Sequence, residues 1–598
     1  MLQSPLAGKP AMPEKDRLSD FTRDWRVLLL SGLAAIIGAV GAVVAYALVW
    51  LIGVITNLLF YARFSPVLLP PTDRYLGHWI ALIPPAGGLI IGLMARYGSD
   101  KIRGHGIPEA LEAILIGRSR MQPKVALLKP LSSAISIGSG GPFGAEGPII
   151  MTGGAFGSLF AQLFHVSATE RKTLLVAGAA AGMAGIFATP VAAVLLAVEL
   201  LLFEWKPRSV IPVAVAAAVA AALRPFLLGN GPLFAVPPHA FLGPKVMLAA
   251  LLVGLLAGLG SGLMTLLVYA CEDLFKHLPI HWMWWPAICG LVVGVGGAVD
   301  PRVLGVGYDT IHLLLEGKIS EVALVKLLTI KALVWSIALG SGTSGGVLAP
   351  LLMIGGALGG IEAHWISVGD PSLWAMVSMA AVMGGAMRSP FTAIVFMLEL
   401  THDVNAMPAL LVGCFAAHAV TVLLMRRSIL TEKIARRGHH ITCEYGVDAF
   451  ELQRVRDVMD RDTTAIPANM SVSELASRIA QRDPKFTRHH ALPIIDDSGS
   501  LVGIITHGDV LRAVESTPAC SVLQAGSGNL VVAYPDETLR SATQKMLRRN
   551  IGRLPVVTRD VPQKLVGYLG RTNILGAKLR ELDDEDVRES RWTMPSSG

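Results

Sequence analysis

The distribution of apolar and charged residues divides the chain in two. Residues 27–60 contain no Asp, Glu, Lys or Arg, and this stretch is long enough to cross a bilayer as a tilted helix. Later apolar segments are interrupted by Gly or Pro, around 81–95, 149–164, 174–203, 246–270 and 284–299. Broken helices at membrane depth occur where the backbone lines a cavity or packs against protein. Because charged residues become frequent after Arg426, the pattern predicts an all-α multi-pass transport domain followed by a soluble domain.

Composition and charge agree with a membrane protein. Of the 598 residues, 53% are hydrophobic and only 16% are charged, which is too apolar for an ordinary soluble protein. Basic residues flank the apolar region at Arg23, Arg26, Arg426 and Arg427, so the positive-inside rule predicts that both termini are cytoplasmic. We expect a multi-pass protein of a bacterial inner membrane. The net charge of +7 reflects such flanking residues, and no nucleic-acid partner is expected.

Residue types that carry catalysis or bind metals do not occur in the sequence at the spacings typical of catalytic or metal sites. The five cysteines are scattered without metal-ligand spacing and are interpreted as free thiols. Neither a phosphate-loop pattern nor a nucleophile paired with a base occurs in the sequence. We therefore expect neither an enzyme nor a metal site.

One carboxylate stands out within the apolar region. Glu146 lies in the segment Ser-Gly-Gly-Pro-Phe-Gly-Ala-Glu-Gly-Pro at 139–148. A carboxylate at membrane depth is costly and usually faces a watery pathway. The apolar run after Pro148 predicts a helix that begins there, and the N-terminus of a helix favours anions. Our hypothesis is that Glu146 competes with a permeant anion for one site and that its protonation opens the path.

Two internal repeats indicate that the membrane domain consists of homologous halves. Gly-Ala-Glu-Gly-Pro at 144–148 recurs as Gly-Val-Leu-Ala-Pro at 346–350. A second repeat aligns two prolines and two glutamates, Pro190 with Pro390 and Glu199 with Glu399. Transporters often place such halves in opposite orientations, with the substrate between the ends of broken helices. The alternative is that the glycines only permit close helix packing, but packing does not explain the carboxylate in one copy.

Three motifs together resemble the selectivity filter of the CLC chloride channels and proton/chloride exchangers. They are Gly-His-Gly-Ile-Pro at 104–108 and the two repeated motifs at 144–148 and 346–350, and the resemblance covers roughly residues 27–437. It implies that chloride and protons are the partners of a homodimer in a lipid bilayer, with one pathway per subunit between two inverted halves. It also implies that Glu146 is the gating glutamate. The anion-binding positions that it implies are His105, Gly106, Ile107, Gly147, Ile149, Val347 and Leu348.

Three filter positions depart from the family pattern. His105 stands where much of the family has a serine, and either its imidazole donates a hydrogen bond to the anion or it points away while backbone N–H groups bind the ion. Leu348 replaces a phenylalanine, which changes only the bulk of the side chain. At the inner pore, Leu430 occupies the position of a pore-facing tyrosine, so we expect a looser or purely hydrophobic inner gate.

The residues expected to carry protons also differ. Leu200 occupies the position of the internal proton-transfer glutamate of well-known exchangers. Glu199 and its repeat partner Glu399 are interpreted as structural groups that satisfy loop or helix-end backbone. A channel-like or weakly proton-coupled mechanism is therefore favoured. A stoichiometric proton/chloride exchanger stays open as the alternative, because protons can travel through water, Glu204 or His105.

The soluble region repeats a small α/β unit. Leu-Pro-Ile-Ile at 492–495 and Val-Gly-Ile-Ile-Thr-His-Gly-Asp at 502–509 are matched at 554–557 and 566–573. Amphipathic segments occur in both copies. This arrangement resembles a tandem pair of CBS domains.

The CBS resemblance implies an adenine nucleotide (ATP, ADP or AMP) as a ligand but no required cofactor. Thr506 would hydrogen-bond a phosphate, and Asp509 would accept the ribose hydroxyls. Gly570 and Asn573 stand at those positions in the second copy, so one intact site is expected. The alternative is a dimerising tail without a ligand.

These observations predict CLC-type chloride transport gated by protonation of Glu146. The expected organisation is a cytoplasmic tail at 1–26, a transport domain at 27–437 with repeats at about 27–225 and 245–425, a linker at 438–454, CBS domains at 455–515 and 516–582, and a polar tail at 583–598. One alternative from another class is a nucleotide-sensing CBS module on a membrane anchor, which the repeated filter motifs oppose. Another is a divalent-cation transporter, but it needs several carboxylates and the filter has one.

Overall fold

The computed structural model describes residues 25–71, 77–240, 243–438, 453–487, 490–560 and 564–586. These residues form two compact units, of which the first ends at Arg436 and the second begins at Arg437. Most of the predicted N-terminal tail, linker and polar tail lies outside the described residues, and so does Cys443. The two units are described separately.

The regular secondary-structure elements described in the first unit are all helices. Its helices are α1 (Arg26–Tyr61), α2 (Ile83–Tyr97), α3 (Ile107–Leu115), α4 (Pro123–Gly138), α5 (Glu146–Ala161), α6 (Ala168–Phe187), α7 (Pro190–Leu196), α8 (Pro207–Leu228), α9 (Pro244–Lys276), α10 (Trp285–Val299), α11 (Tyr308–Leu315), α12 (Glu321–Gly340), α13 (Leu348–Glu362), α14 (Pro371–Met387), α15 (Pro390–Thr401), α16 (Met407–Leu424) and α17 (Ile429–Arg436). A π-helical segment, Ala197–Leu202, extends α7. Short 3₁₀ turns lie at Gly77–Leu82, Asp100–Ile102, Trp282–Trp284, Pro301–Val303 and Val404–Ala406.

Seven helical segments among the described residues are long and apolar enough to cross a membrane, judged by length and composition. The apolar stretch 27–60 forms α1, as predicted. The predicted break within 174–203 is confirmed, because α6 ends at the left-handed Ala188 (φ 59°) and Pro190 starts α7.

The other four predicted breaks are wrong, because the segments around 81–95, 149–164 and 284–299 each contain one helix that runs without a break, namely α2, α5 and α10. Residues 246–270 lie within the continuous helix α9. Its glycines serve packing instead: a Cβ on Gly254 would come 2.4 Å from the carbonyl oxygen of Gly413, and a Cβ on Gly258 would come 2.9 Å from Cα of Ala417. Helix α16 can therefore approach α9 closely, which is the role that small residues often have in membrane bundles.

The first unit consists of two inverted halves with the same internal packing. In the first half, α5 packs on α6, and α6 also packs on α1 and α8. In the second half, α13 packs on α14, and α14 also packs on α9 and α16. The equivalent helices α6 and α14 both end in a left-handed residue, at Ala188 and Arg388, each with φ 59°. The repeats found in the sequence are therefore repeats of structure.

The second unit contains two small α/β modules. In the first, β1 (Ile466–Pro467) pairs in parallel with β2 (Ala491–Ile495), and β2 pairs antiparallel with β3 (Leu501–Thr506). In the second, β4 (Arg553–Val557) pairs antiparallel with β5 (Leu565–Gly570). The helices are α18 (Val455–Val458), α19 (Val472–Ala480), α20 (Pro484–Thr487), α21 (His507–Ser516), α22 (Val522–Ala525), α23 (Leu539–Arg548) and α24 (Arg571–Asp586).

The short helix at the start of each module packs in the core of the other module. Val455 and Val458 of α18 pack with Leu539 and Leu554, in the core of the second module. Val522 of α22 packs in the core of the first module. The cores therefore cross the boundary that the sequence repeat suggests, and each module is completed by a segment from the other.

Candidate anion-binding site and the cleft of the second unit

The first turns of α5 and α13 are held together by a pair of backbone hydrogen bonds. The N–H of Gly346 donates to the carbonyl of Gly144 at 2.8 Å, and the N–H of Gly144 donates back to Gly346 at 3.4 Å. The two helices that begin after this bridge come from different halves of the unit. The N-terminal ends of two helix dipoles, which favour negative charge, therefore lie close together.

The motif at 104–108 lies against the start of α5. Gly106, with φ 92°, is the N-cap of α3, and a Cβ there would lie 2.4 Å from the carbonyl oxygen of Gly147. A Cβ on Gly147 would lie 1.8 Å from the carbonyl oxygen of His105. The close backbone contact between these two glycines excludes any side chain. All three filter motifs are thus brought together.

Glu146 points its carboxylate at the start of α13. Its side chain is wholly buried, and Oε1 accepts a hydrogen bond from the N–H of Ala349 at 3.2 Å. Oε2 has no hydrogen-bond partner among the described residues. The carboxylate therefore sits where an external anion would also be favoured, at the N–H groups that precede the first intrahelical bond of α13.

Two of the backbone N–H groups at positions predicted to bind the anion already have hydrogen-bond acceptors in the structure. The N–H of Ile149 donates to the carbonyl of Ala145 at 3.0 Å, and the N–H of Gly106 donates to Glu109 Oε2 at 2.8 Å. These two predicted anion contacts are thus already engaged, the first because Ile149 is far enough into α5 to find a helical acceptor. The donor at the site is Ala349, which the sequence analysis missed although it belongs to the motif at 346–350.

The other predicted filter residues lie in the same buried region. Val347 and Leu348 are wholly buried and precede the first hydrogen bond of α13, which runs from Leu351 to Val347 at 3.2 Å. Ile107 is wholly buried at the first position of α3, and His105 is 2% exposed.

Two buried lysines support the filter from equivalent positions in the two halves. Lys129 in α4 donates to the carbonyls of Ile102 at 2.9 Å and Gly104 at 2.7 Å. Lys331 in α12 donates to the carbonyl of Val303 at 2.9 Å. Lys331 also interacts electrostatically with Glu146. The two lysines are 202 residues apart, as are the motifs at 144–148 and 346–350, and this equal spacing is the signal in the sequence that could have identified them.

Leu430 is the residue predicted to lie at the inner pore. This residue lies in α17, is wholly buried, and brings no hydroxyl group to the pore. The hydroxyl of Tyr269 donates to the carbonyl of Ile429 at 2.5 Å and is thereby occupied. Lys433, one turn further along α17, forms an ion pair with Glu109 at 2.8 Å.

The two repeated glutamates cap helices of the opposite half. Glu199 accepts hydrogen bonds from the N–H groups of Phe391 at 3.3 Å and Thr392 at 2.8 Å, and from the Thr392 hydroxyl at 2.5 Å. Glu399 accepts from the N–H groups of Val191 at 3.0 Å and Ala192 at 2.8 Å. Each carboxylate therefore satisfies the first turn of a helix that begins with proline, and the pair joins the two halves.

In the second unit, a cleft of about 740 Å³ lies between the two modules. It is lined by residues at equivalent positions of the two copies, Thr506 with Asp509 and Gly570 with Asn573, and by Arg553 and Arg571. The equivalent positions of both copies therefore line one cleft.

Thr506 and Asp509 hold each other in place. The Thr506 hydroxyl donates to Asp509 Oδ2 at 2.6 Å, and the N–H of Asp509 donates to the hydroxyl at 3.2 Å, which caps α21. Arg512 forms an ion pair with the same carboxylate. Burial by itself raises the pKa of Asp509, but the hydrogen bonds from Thr506 and the charge of Arg512 outweigh it, so the pKa lies below its usual range. In the second copy, the Asn573 amide oxygen accepts from the N–H of Gly570 at 2.9 Å.

Comparison with known proteins gives matches for both units. The family model of the voltage gated chloride channel matches residues 87–422, and the CBS domain model matches residues 455–516 and 526–580. The voltage-gated ClC-type chloride channel ClcB of Escherichia coli O81 is 30% identical over 379 residues, which are 61% of this chain and 89% of that protein.

Solved structures share the fold. A slow cyanobacterial Cl⁻/H⁺ antiporter superposes with a TM-score of 0.60 at 21% identity, covering 69% of this chain and 98% of that one. A eukaryotic CLC transporter superposes with a TM-score of 0.59 at 19% identity, covering 92% of this chain and 98% of that one.

Proposed function

The chain belongs to the voltage-gated chloride channel (CLC) family and carries a pair of CBS domains, and we propose that it passes chloride by a channel-like or weakly proton-coupled mechanism gated by Glu146. The observation that carries this proposal is the hydrogen bond from Ala349 to the Glu146 carboxylate. It places the acid at a helix start that suits a chloride ion. The chain is thus proposed to be a transport protein and not an enzyme.

The gate follows from competition between two anions for one set of donors. While Glu146 is ionised, its carboxylate occupies the start of α13 and the attraction of Lys331 stabilises it there. Protonation removes the negative charge, so the helix dipole and Lys331 then favour chloride over the neutral acid. Flux should therefore rise as the pH on the side facing Glu146 falls.

The channel-like mechanism is preferred because the acids near the inner half are already engaged. Glu199 accepts three hydrogen bonds from the start of α15, and Leu200 beside it is buried. Glu204 accepts a hydrogen bond from Ser209 at 2.7 Å and pairs with Lys206 at 3.1 Å. An internal acid ready to relay protons is not found among these residues.

The experiment measures chloride and proton movement together in liposomes that contain the purified protein. Under a chloride gradient we expect chloride flux without uphill proton movement, whereas stoichiometric proton pumping would show that the protein is an exchanger. Glu146→Gln should give flux that is nearly independent of external pH, since a neutral amide mimics the protonated acid. Glu321→Gln, which alters an exposed acid in the first turn of α12, serves as the control. Unchanged pH dependence in Glu146→Gln would exclude this gate.

The CBS cleft is proposed to bind an adenine nucleotide that regulates transport. Asp509 would accept the ribose hydroxyls, Thr506 would contact a phosphate, and Arg553 and Arg571 supply positive charge on the cleft wall. Calorimetric titration of the full-length protein with ATP, ADP and AMP tests this assignment. Absence of nucleotide binding would favour a tail that serves assembly only, and binding that survives Asp509→Ala unchanged would exclude this residue as a contact.

The proposed assembly is a homodimer in the bacterial inner membrane with both termini in the cytoplasm. The basic residues near both ends of the membrane region support this orientation, and the E. coli relative supports a bacterial membrane. The mass of the purified protein in detergent tests the dimer. Labelling of single cysteines placed at either terminus in intact cells tests the orientation, and labelling from outside would contradict it.

A further inference from the structure

The motif at 104–107 has a counterpart in the second half that the sequence analysis did not find. Gly-Val-Gly-Tyr at 305–308 leads directly into α11, as Gly-His-Gly-Ile leads into α3. Both glycines have positive φ in each copy, 87° and 92° in the first and 65° and 79° in the second. The N–H of Gly305 donates to the carbonyl of Gly140 at 3.1 Å, within the segment that carries Glu146. The first residue of α11 is Tyr308.

Tyr308 has a buried hydroxyl with no hydrogen-bond partner among the described residues. Its ring packs edge-on against Phe187 at 6.2 Å and Phe234 at 5.8 Å between centroids, so the position of the hydroxyl is fixed. Buried polar groups in proteins are nearly always hydrogen-bonded, and one that is not requires an explanation. Glu146 Oε2 is also without a hydrogen-bond partner among the described residues.

The charged groups around Tyr308 point to Glu146 as its functional neighbour. Tyr308 interacts electrostatically with Glu146 and with Arg224, whose guanidinium donates to the carbonyl of Gly229 at 2.7 Å. On its own helix, Asp309 is exposed and His312 pairs with Glu316. Of the helices packed against α11, α14 contains no ionisable residue, and the only one on α13 is Glu362 at its far end. Lys331 acts on Glu146 from α12.

We propose that the Tyr308 hydroxyl receives the protonated side chain of Glu146 after it leaves the start of α13, and is thus a positioning residue of the open gate. This inference rests on the proposed role of Glu146. A neutral carboxyl group needs an acceptor for its proton, and a phenolic hydroxyl both accepts and donates. In the closed arrangement Ala349 and Lys331 are the partners of the ionised carboxylate. The Tyr308 hydroxyl then has no hydrogen-bond partner among the described residues.

The direction of the effect can be worked out from this role. If Tyr308 stabilises the protonated, open form, its loss makes opening require a higher proton concentration. Tyr308→Phe removes the hydroxyl but keeps the ring and its contacts with Phe187 and Phe234. The midpoint of chloride flux against external pH should move to lower pH by roughly half to one unit, which is about a three- to tenfold change in the ratio of open to closed forms.

The test compares pH profiles of chloride flux in liposomes for the wild-type protein and Tyr308→Phe, each also combined with Glu146→Ala. We expect the shift in the first pair and no difference in the second, because without the acid the hydroxyl has nothing to receive. Tyr61→Phe is the control, since that exposed hydroxyl donates to the carbonyl of Pro70 at 2.6 Å, away from Glu146.

Two results would overturn the inference. An unchanged midpoint in Tyr308→Phe means that the hydroxyl does not act on the gate. An equal change of flux in the Glu146→Ala background means that the hydroxyl contacts the permeating anion and not the acid. Failure of the Glu146 proposal is recognised separately, because the wild-type profile would then be flat or Glu146→Gln would leave it unaltered.

Discussion

Glu199 and Glu399 each cap a helix of the opposite half, and their hydrogen bonds allow a quantitative prediction of the stability lost on substitution. Glu399→Ala removes the acceptor of two N–H groups at the start of α7, and Glu199→Ala removes the acceptor of two N–H groups and a hydroxyl at the start of α15. Both helices begin with proline, so these N–H groups belong to the first turn and have no helical acceptor. The two substitutions are therefore matched tests of one structural device.

The expected cost can be bounded from the partners that each carboxylate loses. Loss of a helix cap costs about 0.5–2 kcal/mol, and a hydrogen bond to a charged group contributes about 1.5–3 kcal/mol. Thr392 is wholly buried and loses the acceptor of both its N–H and its hydroxyl. We therefore expect roughly 2 kcal/mol for Glu399→Ala and roughly 3 kcal/mol for Glu199→Ala.

The assay is thermal unfolding of the purified protein in detergent, followed by tryptophan fluorescence, together with proton flux in liposomes. Both Ala variants should unfold at lower temperature than the wild type, and Glu199→Ala should be the less stable. Glu199→Gln and Glu399→Gln keep one acceptor oxygen and should lose less stability. Their ratio of proton to chloride movement should equal that of the wild type.

Two outcomes would refute this reasoning. Equal unfolding temperatures for the wild type and both Ala variants would mean that the caps contribute nothing. A loss of proton movement in Glu199→Gln but not in Glu399→Gln would mean that Glu199 carries protons and that its hydrogen bonds to α15 are secondary.

Three further predictions concern the filter and the cleft. Gly147→Ala should cost about 3 kcal/mol or more and abolish flux, because its Cβ would come 1.8 Å from the His105 carbonyl oxygen, whereas Gly32→Ala, with open space around it, should leave flux unchanged. Lys331→Met should move the pH midpoint of flux upward by roughly one unit, because the ionised Glu146 loses an attracting charge; an unmoved midpoint would exclude that role. Since the Asp509 pKa is lowered, nucleotide binding measured by calorimetry should persist as pH falls through the usual range of an aspartate and be lost only below it, and earlier loss would contradict this.

Whether a feature of the fold or the site could be predicted from the sequence depends on the kind of contact that forms it. Convergence of the motifs at 104–108, 144–148 and 346–350 follows from repetition and resemblance, because homologous halves place equivalent segments alike. The N–H of Ile149 is bonded within its helix and that of Ala349 reaches Glu146, a difference that motif matching does not reveal because it does not show which N–H already has a helical acceptor. The break predicted within α9 fails for a similar reason, since a glycine that bends a helix and one that lets a neighbour approach look the same in sequence.

Contacts between residues far apart in the chain are the features that could not be predicted from the sequence. Glu199 and Glu399 are recognisable as repeat partners, yet nothing in either motif indicates that each caps a helix in the opposite half. The exchange of α18 and α22 between the CBS cores is hidden in the same way, because both segments are short and lie outside the repeated strands. Tyr308 is hidden because its motif shares only two glycines with the copy at 104–107.

The presence of an acid in only one half follows from the geometry of the two helix starts. The backbone bridge between Gly144 and Gly346 brings the two helix starts together, and a Cβ on Gly346 would lie 2.6 Å from Glu146 Oε2. Two carboxylates confined there would repel each other, and one of them would have to stay neutral. With leucine at 348, the N–H of Ala349 serves one anion at a time, either the carboxylate or chloride. That exclusive occupancy is what allows protonation of a single side chain to act as a gate.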